Sequence, residues 1–380
     1  MQFGSKMNKF FIEVNHFLYK HAVRRVFFLC NSELMHDWLT AGGELIGNIK
    51  ILKNLLEKLL RYKNKALEQS LNGIFFENPV GLAAGFDYQA RLTKITPSLG
   101  FGFETIGTIT NKPYSGNPKP RLARLVKSRS LLVNKGFKNQ GIDKILKKLK
   151  LSNFEIPVGI SIGKTNTTKN TTQNEAVKDV VDAFKKAENS KIKFSYYELN
   201  ISCPNLYGNI SFYPLENLLK LLKAVTGLGL KKPVFVKMPI EKTDREILDM
   251  LKIISQFPIN GVIFGNLQKN REDPSLDKEE VKMNKVGYFS GKPTEKRSNE
   301  LIKLAYKRYG KKLIIIGCGG IFNGKDAYTK IRLGASLVQF ITGLVFEGPQ
   351  LAAQINLELS GLLKKDGFQN IKQAIGADNK

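Results

Sequence analysis

From about residue 79 onward, short runs of apolar, mostly β-branched residues recur and end in small or polar side chains. They cover 79–86 (PVGLAAGF), 103–110 (FETIGTIT), 158–163 (VGISIG), 196–202 (YYELNIS), 234–239 (VFVKMP), 261–266 (GVIFGN), 313–319 (LIIIGCG) and 337–342 (LVQFIT). The runs are continuously apolar rather than alternating, the pattern of strands buried on both faces. Segments with helical spacing fit between them at 174–189, 215–227, 243–256, 295–309 and 323–333. Such a series of β/α units predicts a (β/α)8 TIM barrel. The second-best fold is a doubly wound sheet, but its glycine fingerprint, GxGxxG after the first strand, is absent.

Two connections are long. Residues 111–157 are rich in Pro, Gly and Arg before a basic helix, and 267–294 are charged and then turn-rich. Loops of this length usually cover a site or form insertions. The run Lys144 to Lys150 reads as the solvated face of a helix.

The first 70 residues differ in kind. Phe10, Val14, Phe17, Leu18, Ala22 and Val26 follow helical spacing, as do Ile49, Leu52, Leu55, Leu56, Leu59 and Leu60 within 47–67. Two helices either pack on the barrel or offer an apolar side and a basic rim to an anionic membrane surface. The expected division is a helical extension over 1–70, the barrel over 71–365 and a tail over 366–380.

Lys+Arg 60 against Asp+Glu 33 gives a net charge of +27. That balance suits nucleic acid, anionic lipid or a phosphorylated ligand. The lysines are spread along the whole chain without interleaved aromatics, which argues against nucleic acid. The three cysteines, Cys30, Cys203 and Cys318, have neither disulfide nor zinc spacing, so a reducing cytoplasm fits. His16, His21 and His36 all fall at the start, where they read as polar-face or interface residues. The main body therefore holds no Ser/His/Asp triad, and no metal site is expected. No run is apolar enough to span a bilayer, and no cleavable signal is evident.

In a barrel the chemistry sits at the C-terminal ends of the strands. Those ends carry Ala84, Gly85, Thr108, Ser161, Asn200, Cys203, Asn205, Lys237, Asn266, Gly319, Gly320, Thr342 and Gly343. Glycines after strand seven and Thr-Gly after strand eight would let backbone N–H groups approach a phosphate. Lys237 in "VFVKMP" is a cation in a buried strand, placed to neutralise an anion such as a reduced flavin. Asn200, Asn205 and Asn266 each offer a donor and an acceptor, an array that can read a pyrimidine. Cys203, beyond its strand end, is a candidate general base if neighbouring cations favour its thiolate.

The segments "NPVGLAAGFD", "IGTIT", "GNPKPRLARL", "LNISCPN", "VFVKMP", "FSGKP", "IIIGCGGI" and "GASLVQFITGLVFEGP", in that order, resemble the dihydroorotate dehydrogenases, FMN barrel enzymes of pyrimidine synthesis. The resemblance runs from about residue 8 to 357. "NSELMHDWL" and "GNPKPRLARL" are similar to the membrane-associated, quinone-reducing class. The resemblance implies that Ala84, Gly85, Thr108, Ser161, Asn200, Lys237, Gly291, Gly320 and Thr342 hold FMN. Glycines Gly319 and Gly343 belong with them on the phosphate reading above. It also implies that Asn200, Asn205 and Asn266 hold dihydroorotate or orotate under a loop carrying Phe137. Cys203 would take the C5 proton, Lys237 would steady the reduced ring, and electrons would leave to a quinone through the N-terminal helices. The protein would sit peripherally on the cytoplasmic side of the cell membrane.

Four positions depart from the quinone class. Cys203 stands where that class has serine, Tyr88 where it has a lysine, Leu267 where it has threonine and Ser161 where it has asparagine. Lys135 is a candidate to replace the missing lysine. A soluble dehydrogenase using NAD or fumarate, favoured by Cys203, and a flavin-dependent tRNA dihydrouridine synthase are the competing readings.

Overall fold

The computed structural model describes residues 2–169, 172–208 and 210–379. Eight of the apolar runs form parallel strands: β1 (Val80–Leu82), β2 (Phe103–Ile109), β3 (Val158–Ile162), β4 (Tyr196–Asn200), β5 (Val234–Met238), β6 (Gly261–Phe264), β7 (Ile314–Cys318) and β8 (Leu337–Phe340). Each pairs with its neighbour in chain order, and β8 returns to β1 through Val338↔Val80, closing the barrel. Closure leaves no unpaired edge. The expected TIM barrel is the observed one.

Amphipathic helices cover the outside, starting where capping residues place them. Thr172 with Glu175 and Thr243 with Glu246 form capping boxes at the heads of helices Gln173–Asn189 and Asp244–Ile254. The second buries Ile247, Met250, Leu251 and Ile254 against the strands. The basic run beyond residue 141 is a helix, Ile142–Leu149, that buries Ile142, Ile145 and Leu149 and leaves most of its lysines outside.

A hairpin, Gln69–Leu71 with Ile74–Phe76, precedes β1. Its Phe76 meets Phe103 edge-on at 5.6 Å, and Tyr196, Phe235 and Leu337 complete an aromatic and aliphatic plug at the N-terminal ends of the strands. That end is solid, which leaves the opposite mouth for chemistry. The two long connections meet there. Strands Leu122–Leu125, Ser130–Val133 and Tyr288–Phe289 form a three-stranded antiparallel sheet beside the mouth.

The N-terminal segment holds more helix than its periodicity predicts: α1 (Gln2–Leu18), a π-helical turn Tyr19–Val23, α2 (Arg24–Leu29), α3 (Ser32–Asn48) and α4 (Lys50–Leu60). α4 stops at Leu60 rather than near 67. Ile12 of α1 and Leu60 of α4 pack with Ala353 of the C-terminal helix Leu351–Lys365. Tyr19 Oη donates to the Val345 carbonyl at 2.7 Å, fixing the turn to the barrel. The tail is docked too: Ile371 and Ala374 are fully buried, and Gly376 N–H donates to the Ile331 carbonyl at 3.0 Å.

Candidate active site

The ends of the strands open into one cavity of about 740 Å³. Its lower wall carries Ala84, Gly85, Thr108, Asn200, Cys203, Asn205, Lys237, Asn266, Gly291, Gly319, Gly320, Thr342 and Gly343. Phe137, Tyr88, Lys135 and Leu267 also line it. Its outer wall is apolar and comes from the N-terminal helices, including Leu18, Phe27, Met35, Leu39, Ile46 and Leu56. The predicted site residues are thus brought together, with one exception.

Ser161 does not line the cavity. It is fully buried, bonded to Thr108 rather than exposed to the cavity. Thr108 Oγ1 and Ser161 Oγ lie 2.8 Å apart, and Ser161 donates onward to Glu198 Oε1 at 2.7 Å. With the Ser161 hydrogen spent on Glu198, the order of donors is fixed. Thr108 must donate to Ser161, and its oxygen accepts from Asn200 Nδ2 at 2.8 Å. The backbone helps to aim Thr108. The β2–β3 register shifts between Ile106 and Ile109. Gly107 sits in this bulge at φ +107, where an added Cβ would meet the Ser161 carbonyl at 2.7 Å.

The relay continues on the other side of Asn200. Its Oδ1 accepts from Ser202 Oγ at 3.1 Å, and Ser202 Oγ accepts from Asn266 Nδ2 at 2.5 Å. Ser202 therefore joins the two amides, a role that its position in "LNISCPN" alone does not reveal. Asn205 Nδ2 donates to the Val133 carbonyl at 3.0 Å, and the Asn205 carbonyl accepts from Asn117 Nδ2 at 2.9 Å. That pair locks the segment after β4 to the covering sheet.

Lys237 stands opposite Asn200 in the β4–β5 register and is 5% exposed. Cys203, beyond β4, is half-buried, but its electrostatics are not those of a standing thiolate. Burial pushes the thiol up to about 11, against the pull of the Asn205 N–H and of Lys237, Lys269 and Lys164. Desolvation thus outweighs the neighbouring cations at this thiol.

Asp87 holds the loop after β1. Its two carboxylate oxygens accept the N–H groups of Arg91 and Leu92, each at 2.7 Å. This fixes Tyr88, whose hydroxyl donates to Asp37 Oδ1 at 3.1 Å and whose ring stacks on His36 with centroids 5.2 Å apart. His36 is accordingly an interface residue, bonded through Nε2 to the Phe86 carbonyl at 2.8 Å. Arg124 is a further cavity residue that strand-end reasoning missed, because it lies in the covering sheet. Its Nη1 donates to the Phe27 carbonyl at 2.6 Å.

An apolar chamber floored by oriented amides, an ammonium and a thiol can bind a flat polar heterocycle and move a proton at the thiol. The family model described as dihydroorotate dehydrogenase matches residues 66–363. A dihydroorotate dehydrogenase (quinone) of Trichodesmium erythraeum is 37% identical over 346 residues, spanning 87% of this chain and 89% of that protein. One of Sulfurimonas denitrificans is 38% identical over 321 residues, spanning 83% and 87%. A crystal structure of DHODH from Eimeria tenella in complex with ferulenol superposes with a TM-score of 0.79 at 29% identity, over 92% of this chain and 96% of that one. The chain belongs to the dihydroorotate dehydrogenase family.

Proposed function

We propose that this chain oxidises dihydroorotate to orotate in pyrimidine biosynthesis, with FMN as its resident cofactor and a membrane quinone as electron acceptor. One observation carries the reading: Cys203, Lys237 and the three amides share a single cavity with the apolar faces of the N-terminal helices. Polar binding and an apolar exit are joined without an intervening wall.

The residues fit FMN. Among the described residues, no backbone carbonyl accepts the N–H of Gly319 or Gly320 after β7. Those of Thr342 and Gly343 open a helix and have no partner within it. These four N–H groups suit a phosphate. Lys237 would lie by the ring system, with Ala84, Gly85, Thr108, Asn200 and Gly291 completing the cradle. FMN supplies acceptance of the C6 hydride and onward passage of the electron pair to the quinone.

The protein's own part is proton transfer and orientation. Once its own proton has passed to solvent, Cys203 Sγ takes the C5 proton; the C5–H electron pair becomes the C5=C6 bond and the C6–H pair leaves as the hydride. Asn200, Asn205 and Asn266 hold the ring edge, and Phe137 covers it. Lys237 balances the negative charge that arrives with the hydride. The quinone takes up two electrons and two protons to become a quinol.

No helix among the described residues is long and apolar enough to cross a membrane. Contact would instead be peripheral, on the cytoplasmic side. Among the described residues, fourteen of the 21 exposed large hydrophobic ones fall between 10 and 55, Trp38 at 71% and Ile51 at 80% among them. Exposed Lys9, Lys20, Arg25, Lys50 and Lys58 supply the basic rim.

Anaerobic titration of the flavin-loaded protein with dihydroorotate tests the activity. Bleaching of the flavin absorbance, recovery on adding a quinone and loss of bleaching in Cys203→Ala are the expected results. A flavin left oxidised by dihydroorotate overturns the proposal, and recovery only with NAD or fumarate would move the protein to the soluble class.

A further inference from the structure

Lys135 is a cation on the cavity wall to which the proposed chemistry gives no part. It is 9% exposed and lines the cavity. Among the described residues its ammonium makes no hydrogen bond and no ion pair. Its neighbour Lys138 is matched, donating to Glu33 Oε1 at 2.8 Å. What supports Lys135 is the ring of Tyr88, with Nζ 4.5 Å from the centroid. That ring is itself immobile, held by the Asp37 bond and the His36 stack. Because the Tyr88 hydroxyl is committed to Asp37, it is not offered to a ligand.

A buried ammonium without an acceptor is costly, and an aromatic face offsets only part of that cost. Such a group is complete once an anion enters. The phosphate of the cofactor has its N–H cradle after β7 and β8, and a quinone is neutral. The remaining anion is the carboxylate of the substrate.

We propose that Lys135, seated over Tyr88, receives the substrate carboxylate and so selects heterocycles that carry an acid group. This rests on the reading of the cavity given above. Burial, then the charges of Lys138 and Arg121, push the Lys135 ammonium down to about 8, while Glu33 and Asp37 act in the opposite direction. His36, whose ring faces the same Tyr88, is pushed down by burial and by Lys135 itself, so it adds no second cation. Carboxylate binding therefore weakens as pH rises above about 8, when the empty site loses its proton.

Calorimetry on the flavin-loaded protein tests this with orotate and its neutral carboxamide. Lys135→Met is expected to weaken orotate roughly 10–100-fold, the worth of a charged hydrogen bond. It should leave the carboxamide unchanged, and Lys135→Arg should keep most of the orotate affinity. Removing a buried, unpaired charge should not lower Tm, and flavin content should stay at the wild-type level. In turnover the loss should fall on KM rather than kcat, and the fall in orotate affinity above about pH 8 should vanish in Lys135→Met. Equal losses for orotate and carboxamide, unchanged orotate binding, or loss of flavin would each overturn the assignment. A wild-type protein that binds no orotate would instead overturn the reading of the cavity, and this inference with it.

Discussion

Asn266 Nδ2 donates to Ser202 Oγ at 2.5 Å, and that hydroxyl in turn donates to Asn200 Oδ1 at 3.1 Å. One oxygen therefore joins two amides of the cavity floor. An amide can be flipped with little change in shape, so packing alone would not choose between its two orientations. For Asn266 the hydroxyl makes the choice by accepting from Nδ2; for Asn200 it is joined by the Ser202 N–H on Oδ1 at 3.2 Å and by Thr108 Oγ1 on Nδ2 at 2.8 Å.

Ser202→Ala removes both hydroxyl bonds and leaves Asn266 free to flip, while Asn200 keeps its bonds to the backbone N–H of that position and to Thr108. Each buried bond contributes about 1 kcal/mol, so orotate affinity is expected to drop roughly tenfold or more, with the flavin spectrum unchanged. Calorimetric titration with orotate measures it; wild-type affinity in the variant would show that the relay does not orient the ligand-binding amides.

Cys203 is protonated at neutral pH, because burial pushes it up to about 11. A base that must first lose its proton gains about tenfold in active form per pH unit below its pKa. At saturating dihydroorotate, the rate of flavin bleaching in stopped flow should climb through the alkaline range toward pH 11. Cys203→Ala should lower that rate by about 10²–10⁴ and flatten the profile. A plateau already reached at neutral pH in the wild type would mean that the thiol is not the base, or that bound ligands reverse its shift.

The barrel was legible because a strand buried on both faces has to be apolar throughout, and eight such runs separated by amphipathic segments admit few folds. The same uniformity hid which strand-end residues face the cavity. Thr108 and Ser161 look equivalent in the chain, but the bulge at Gly107 turns the first toward the cavity, with the second behind it. α3 was missed because Gly42, Gly43 and Gly47 break its pattern. The last two are needed for contact: a Cβ on Gly43 would meet Leu92 Cδ2 at 2.5 Å, and one on Gly47 would meet Lys94 Cβ at 3.1 Å. A helix signal was present in Asn31, whose Oδ1 accepts from the N–H groups of Glu33 and Leu34. The isolation of Lys135 depends on which acceptors fail to reach it, a tertiary property with no signature in the chain.

Glu104, fully buried in β2, accepts from Thr96 Oγ1 at 2.6 Å and lies beside Asp87. Burial, then the charge of Asp87, push its carboxyl well above the carboxylate range. The folded protein thus keeps a proton that the unfolded chain releases near pH 4.5. Stability contributed by this proton is complete below that pH and declines as pH rises toward the folded-state value. Glu104→Gln mimics the protonated acid and lacks this decline. Urea midpoints should therefore favour the variant increasingly from about pH 5 to 7, by up to about 1.4 kcal/mol per unit. A constant difference across that range would show Glu104 to be ionised in the fold.

The N-terminal helices make a prediction that separates membrane contact from catalysis. Phe10, Phe17 and Trp38 are 62, 61 and 71% exposed. None of the three belongs to the polar floor of the cavity, although Trp38 borders its outer wall. Burying an aromatic side chain in an interface contributes about 1.5–3 kcal/mol, and each nearby lysine or arginine about 1 kcal/mol at an anionic surface. The triple variant Phe10→Ser, Phe17→Ser, Trp38→Ser should bind vesicles containing anionic lipid at least 100-fold more weakly, by co-sedimentation. Wild-type binding should weaken with added salt, as the basic rim is screened. Bleaching of the flavin by dihydroorotate should be unchanged in the variant, since Cys203, Lys237 and the amides are untouched. Equal vesicle binding by both proteins would show that these helices only wall the cavity and do not meet lipid.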